Sequence, residues 1–239
     1  MIQAFPQPNQ RLMTAALNIG LMVPINNTTF ERELLAWLPA GSTCTTLRIP
    51  RGEGLLTPDT LPAYKAQALS LAAQFAGRGD IDVVAYGCTA AGFIAGPAAD
   101  AQLERELSAI TGKPVVTTAR AMVRALQALQ VNDIALVTPY LDAVNERLKA
   151  FLADGGIRVR RFNSFYAANV EELGRIQADA VARLARETMG ADCEALFIAC
   201  AQLPTFEILD DLGRELGHPV LSSIWATQQA LRERMLQAA

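Results

Sequence analysis

The chain has little of what many active sites are built from. It carries one histidine, His218, in 239 residues, and aromatic side chains make up 6%. Its four cysteines, Cys44, Cys88, Cys193 and Cys200, form no C-x-x-C pair. That scarcity argues against a protein-built zinc site and against a Cys–His dyad. No block of like charge stands behind the net charge of −3, so neither nucleic acid nor an anionic membrane surface is indicated as a partner. Apolar runs stop short of the roughly 18 residues of a membrane span. Residues 1–16 are largely polar, with two prolines and no apolar signal core, and read as a flexible leader. The expected setting is therefore reducing and cytoplasmic, with the cysteines as thiols instead of a disulfide framework.

What is there is an ordinary α/β composition, 51% hydrophobic and rich in Ala, Leu and Val, on a chain long enough to bury a sizeable core. The informative stretch runs from Asp82 to Gly92 (DVVAYGCTAAG). An apolar run stops at Gly87, presents Cys88, and passes straight into small residues. A buried parallel strand hands over to a helix in this way, and ligands of open parallel sheets sit at that carboxyl end. The device recurs at Ala195 to Pro204 (ALFIACAQLP), with Cys200 in the matching place.

The remaining elements repeat in the same order. Strands are expected over 17–24, 43–50 and 115–117, and helices after Thr29 to Leu38, over 61–76 and over 98–110. In the second half, strands fall at 133–138 and 157–162. Helices are expected over 141–153, 171–189 and 205–216. Gly112 to Ala121 aligns with Gly217 to Ala226, and 64 residues separate Pro24 from Cys88 against 61 from Pro139 to Cys200. A period of about 110 residues means duplicated α/β units, not a solenoid. The expected fold is α/β, with two Rossmann-like (flavodoxin-like) parallel-sheet halves, 17–120 and 121–239, and segment 219–239 able to pack back on the first. If a pseudo-two-fold relates them, Cys88 and Cys200 face each other across one cleft.

Five motifs occur in this order: VP-x-NNTT-x-E from Val23, the strand ending in Cys88, TPY ending at Tyr140, N-x-E-x-x-GR from Asn169, and AC-x-QLP around Cys200. Together they resemble the maleate cis-trans isomerases, which sit beside the arylmalonate decarboxylases in the Asp/Glu racemase superfamily. The resemblance spans roughly residues 17 to 230 and implies an Asp/Glu racemase-like fold, with active-site roles for Asn27, Cys88, Tyr140, Asn169 and Cys200. The Gly87-Cys88-Thr89-Ala90 turn is also similar to the cysteine turns of amino-acid racemases. Arylmalonate decarboxylases keep only the second cysteine, so Cys88 argues against simple decarboxylation.

A cysteine acts as nucleophile or base only as thiolate. With His218 in a turn whose counterpart is Lys113, the activating feature expected here is the strand-to-helix turn, where free N–H groups and the helix dipole favour negative charge. Backbone donors at Thr89, Ala90, Ala201 and Gln202 could hold a carboxylate. Side chains of Asn27, Thr28, Tyr140 and Asn169 could complete a cage needing no arginine. Cys44 and Cys193 read as structural. The resemblance implies that the Cys88 thiolate adds to the double bond of a maleate-like substrate, that the enediolate rotates about its central bond, and that Cys88 leaves, with Cys200 protonating or polarising the opposite side. In the racemase or hydantoin alternative the two thiols are base and acid on opposite faces of a Cα–H. Neither route needs a cofactor or metal. A substituted-malonate decarboxylase, a small-anion binding module of duplicated lobes and a catalytically dead paralogue are the remaining readings. A homodimer or larger homo-oligomer is expected, without a stretch that specifies its interface.

Overall fold

A computed structural model describes residues 15–51 and 54–238; all but the last two residues of the expected leader lie outside them. The first sheet holds β1 (Asn18–Pro24), β2 (Thr43–Ile49), β3 (Val83–Tyr86) and β4 (Val115–Thr117), and the second β5 (Asp133–Thr138), β6 (Arg158–Ser164), β7 (Ala195–Ile198) and β8 (Val220–Ser222). Their orders are the same, β2-β1-β3-β4 and β6-β5-β7-β8, with every pairing parallel. This is the duplicated α/β architecture that the repeat implies.

The central strands β1, β3, β5 and β7 are buried along nearly their whole lengths, which is why they read as continuous apolar runs. At the edges, β2 and β6 carry threonines and arginines that face solvent and blunt unwanted pairing. The connecting helices are α1 (Phe30–Trp37), α2 (Leu61–Ala72), α3 (Thr89–Phe93), α4 (Pro97–Thr111), α5 (Thr118–Ala128), α6 (Asp142–Asp154), α7 (Val170–Arg175), α8 (Ala178–Thr188), α9 (Leu209–Leu216) and α10 (Ser223–Ala238). Helices α4 and α9 end at the repeat-equivalent Gly112 and Gly217, both left-handed with φ of 67° and 66°. Helices α5 and α10, for which the sequence carries no helix expectation, follow the short strands β4 and β8 without a loop. Helix α10 packs against α5, α1, β3 and β4.

Two expected helices differ. The single helix over 171–189 is two, because Ile176 and Gln177 are extended between α7 and α8. The side-chain amide of Gln177 donates to the Arg175 carbonyl at 2.9 Å, satisfying one of the groups left free at the end of α7. The helix over 205–216 starts at Leu209, since the residues after Cys200 form turns first.

The strand-to-helix passage at Cys88 is dense. A Cβ on Gly87 would lie 2.9 Å from Val23 and 3.0 Å from Phe30, and one on Gly92 would lie 2.4 Å from the Ala119 methyl. Small residues are thus a packing requirement on both sides of Cys88. Behind α3, Asp100 is buried and accepts a hydrogen bond from the Thr117 hydroxyl at 2.7 Å. Burial pushes its carboxyl up to about 6. Asp100 therefore binds its proton more tightly folded than unfolded. The stability this supplies is complete below the ordinary aspartate range and lost as pH rises through about 6. At neutral pH the ionised carboxylate costs the fold on the order of 2–3 kcal/mol. Asp100→Asn is expected to raise the melting temperature at pH 7.5 and to flatten its pH dependence between about 4 and 6. Thermal denaturation across that range checks this; an unchanged pH profile would contradict it.

Candidate active site

The residues that follow β1, β3, β5 and β7 converge on one cavity. Its wall includes Pro24, Asn27, Gly87, Cys88, Tyr140 and Cys200, at the carboxyl ends of the central strands of both sheets. In an order of the 2-1-3-4 type the strand sequence reverses between β1 and β3, and there a parallel sheet opens its crevice. Each half contributes one thiol. Cys88 and Cys200 are both 7% exposed.

The halves are clasped across this cavity by hydrogen bonds between the loop after β1 and the turn after Cys200. Asn27 Nδ2 donates to the Ala201 carbonyl at 3.0 Å, and the Thr29 hydroxyl donates to the Gln202 carbonyl at 2.9 Å. The Gln202 side chain pairs twice with Thr28, accepting from its N–H at 3.1 Å and donating to its hydroxyl at 3.0 Å. Deeper in, Glu33 on α1 accepts from the Thr205 backbone at 2.8 Å and from its hydroxyl at 3.0 Å. Asn27 is also a helix cap, since its Oδ1 accepts from the backbone of Thr29 and Phe30 at the start of α1.

Tyr140 is held just as firmly. Its carbonyl accepts from Asn145 at 2.7 Å and from the Ser164 hydroxyl at 2.6 Å, and its ring meets Phe93 edge-on at 5.5 Å. Phe93 lies on the short helix headed by Cys88, so the first thiol's helix supports the tyrosine beside the second thiol. The Tyr140 hydroxyl favours the thiolate of Cys200, as do the N–H groups of Gln202 and Leu203.

Of the residues expected at the site, the cavity wall includes Asn27, Cys88, Thr89, Ala90, Tyr140, Cys200, Ala201 and Gln202. Thr28 is exposed and spends its side chain on Gln202. Asn169 is not part of the wall. It is exposed and caps α7 by accepting from the backbone of Glu171 and Glu172, and Leu173 of that helix reaches the cavity in its place. Cys44 lies in β2, where burial and Glu31 push its thiol up to about 12, and Cys193 is buried just before β7.

The expected activation of the thiols by their turns is corrected by burial. Desolvation raises both Cys88 and Cys200, and outweighs the donors that oppose it. For Cys88 those are the backbone of Ala91 and Ala90, the Tyr64 hydroxyl and the charge of Arg51. A charge on Cys88 further raises Cys200, so the cavity favours at most one thiolate beside one thiol. Cys88 does head a helix, though a short one, whereas Cys200 heads a turn.

The sequence singles out neither Tyr64 nor Asn26, and offers Arg51 only as the start of a loop, 51–60, expected to wall the substrate site. Tyr64 sits on the buried face of α2 and looks like core, with no local signal of a role. Arg51 follows β2, so the strand-end rule could have found it. Among the described residues, two buried polar atoms here lack a hydrogen-bond partner, Asn26 Oδ1 and Arg51 Nη2. Unpaired buried groups are rare in folded proteins, and their clustering marks where a ligand would satisfy them. Leu55, Leu56, Leu141, Val144 and Leu173 supply apolar lining. No group of three or more His, Cys, Asp or Glu among the described residues is placed to hold a metal ion.

A family model described as arylmalonate decarboxylase matches residues 53–237. The chain belongs to the arylmalonate decarboxylase family. Among members and relatives, it is 30% identical to the maleate isomerase of Nocardia farcinica over 216 residues, covering 87% of this chain and 86% of that protein. It is 32% identical to the arylmalonate decarboxylase of Bordetella bronchiseptica over 174 residues, 72% of each chain. The Nocardia farcinica maleate cis-trans isomerase has also been solved as a cysteine-to-serine mutant with a covalently bound succinylcysteine intermediate. That structure matches with a TM-score of 0.83 at 28% identity, covering 93% of this chain and 94% of the other.

Because burial dominates both thiols, alkylation of Cys88 and Cys200 by iodoacetamide is expected to rise with pH beyond the range of a free cysteine, about 8.5. Tyr64→Phe removes a donor to the Cys88 thiolate and should shift that residue's profile further upward. Peptide mass spectrometry across pH 6–11 reads both. A profile for either thiol complete by pH 7 would contradict the dominance of burial.

Proposed function

We propose that the chain is a cofactor-independent isomerase of a small dicarboxylate, acting on maleate or a close derivative by thiolate addition and elimination. The observation that carries this reading is the pair of thiols, one from each half, on the wall of a single cavity. Relatives that are maleate isomerases, one with a succinylcysteine intermediate, support it.

In this reading Cys88 Sγ attacks one olefinic carbon, and the electron pair moves through the adjacent carbon into its carboxylate, giving an enediolate. Donors at Thr89, Ala90 and Tyr140 stabilise that charge as it develops. The former double bond is now single and rotates. Cys200 gives a proton to the carbanionic carbon and takes it back. Expulsion of Cys88 then restores the double bond in the trans form, with no net change in protons or electrons. The raised thiols leave little thiolate at rest, and strong nucleophilicity once ionised offsets this only in part. Free thiols work only unoxidised, which fits a reducing, cytoplasmic setting.

A second reading, decarboxylation of a substituted malonate, is favoured by the apolar wall of Leu55, Leu56, Leu141, Val144 and Leu173, which offers a substituent more contact than maleate needs.

Proton NMR of maleate with the reduced protein in deuterated buffer separates the two. The isomerase reading expects fumarate, and a rate loss of about a thousandfold or more in both Cys88→Ala and Cys200→Ala. Inert maleate together with decarboxylation of phenylmalonate, retained in Cys88→Ala, would establish the second reading in its place.

A further inference from the structure

The polar side chains of the cavity wall are mostly committed to one another. Asn27 bonds Thr29, Phe30 and Ala201, and Gln202 bonds Thr28. Arg51 is different. Among the described residues it makes no hydrogen bond or ion pair, although one nitrogen of its guanidinium, Nη2, is fully buried. Arg51 is also the one charged side chain among the described residues lining the cavity, whose wall includes no Asp, Glu, Lys or His. It stands on the same wall as Leu55 and Leu56, between the thiol cavity and a neighbouring one that reaches Tyr64.

Burying part of a guanidinium with no hydrogen-bond partner among the described residues is costly, and the cost falls when an anion, the Cys88 thiolate or a ligand carboxylate, meets it. An arginine offers a planar fork that matches a carboxylate, and such a bond is strong where water is excluded. We propose that Arg51 determines specificity, receiving the second carboxylate of the substrate while the Thr89–Ala90 backbone and Tyr140 hold the first. This rests on the dicarboxylate reading and deepens it. The cavity then prefers a dianion to a monocarboxylate. It also disfavours an α-amino acid, whose ammonium group would meet Arg51 and find no carboxylate among the described residues of the wall. The arginine-free cage expected from the sequence gives way to a cage with one cation.

The test is calorimetric titration of succinate, a dianion, and butyrate, a monoanion of similar length, into the reduced full-length protein, Arg51→Met and Arg51→Lys, with maleate turnover measured alongside. The parent is expected to bind succinate at least tenfold more tightly than butyrate. Arg51→Met should weaken succinate about ten- to a hundredfold, the loss expected of one charge-assisted hydrogen bond, and leave butyrate within about twofold. Arg51→Lys should recover part of the loss. Succinate affinity unchanged in Arg51→Met, equal losses for both acids, or no succinate binding by the parent would each overturn the assignment. Arg51-dependent succinate binding without maleate turnover would leave Arg51 standing and remove the isomerase reading. Turnover with a KM indifferent to Arg51→Met would do the reverse.

Discussion

The structure depends on the clasp between the loop after β1 and the turn after Cys200. Each sheet brings one thiol to its carboxyl end, but a thiol at one sheet end has nothing to oppose it. Asn27, Thr28 and Thr29 on one side, and Ala201 and Gln202 on the other, close the two ends over a shared cavity. Each such bond contributes only about 1 kcal/mol net, yet breaking one leaves a buried partner unsatisfied at a larger cost. The clasp uses the residues beside the thiols, so register between the halves and geometry of the site are one constraint. Helix α10 adds a second tie. Its Thr227 hydroxyl donates to that of Thr118 at 3.0 Å, which donates in turn to the Tyr86 carbonyl at the end of the Cys88 strand.

Enclosure has an electrostatic consequence. The cavity that brings the thiols together also dries them, and desolvation raises both. Backbone N–H groups, Tyr64, Tyr140 and Arg51 oppose this in part, and they remain poised to meet charge that develops on a ligand. A site of neutral thiols surrounded by donors is better matched to an anionic intermediate than to its own resting state. That is the arrangement transition-state stabilisation requires.

Much of the fold could be read directly. Central strands such as β3 and β7 are continuous apolar runs because both faces are covered, and the two strand-end cysteines stand out against them. The repeat was legible because helix-ending glycines at 112 and 217 recur with the same following strand. What could not be read depended on side-chain direction. Asn169 carries a polar amide in a loop, and nothing local says whether it turns inward or, as found, caps its own helix. The break at Ile176 rests on Gln177 folding back to Arg175, a choice no propensity encodes. Tyr64 lies on an ordinary apolar helix face, and its hydroxyl matters only because tertiary packing places it beside Cys88. Burial likewise reversed the expected direction of the thiol shifts, since the turn donors are local while desolvation comes from both halves.

The central claim is that two thiols from opposite halves share one substrate, Cys88 as nucleophile and Cys200 as its proton partner. The most direct measurement is peptide mass spectrometry of Cys200→Ser after incubation with maleate and an acid quench. The account predicts a succinyl adduct on Cys88: the enediolate formed by addition takes its carbon-bound proton from water, and without the Cys200 thiolate to remove that proton again the adduct accumulates. An adduct on another cysteine, or none on Cys88 at saturating maleate, would contradict it.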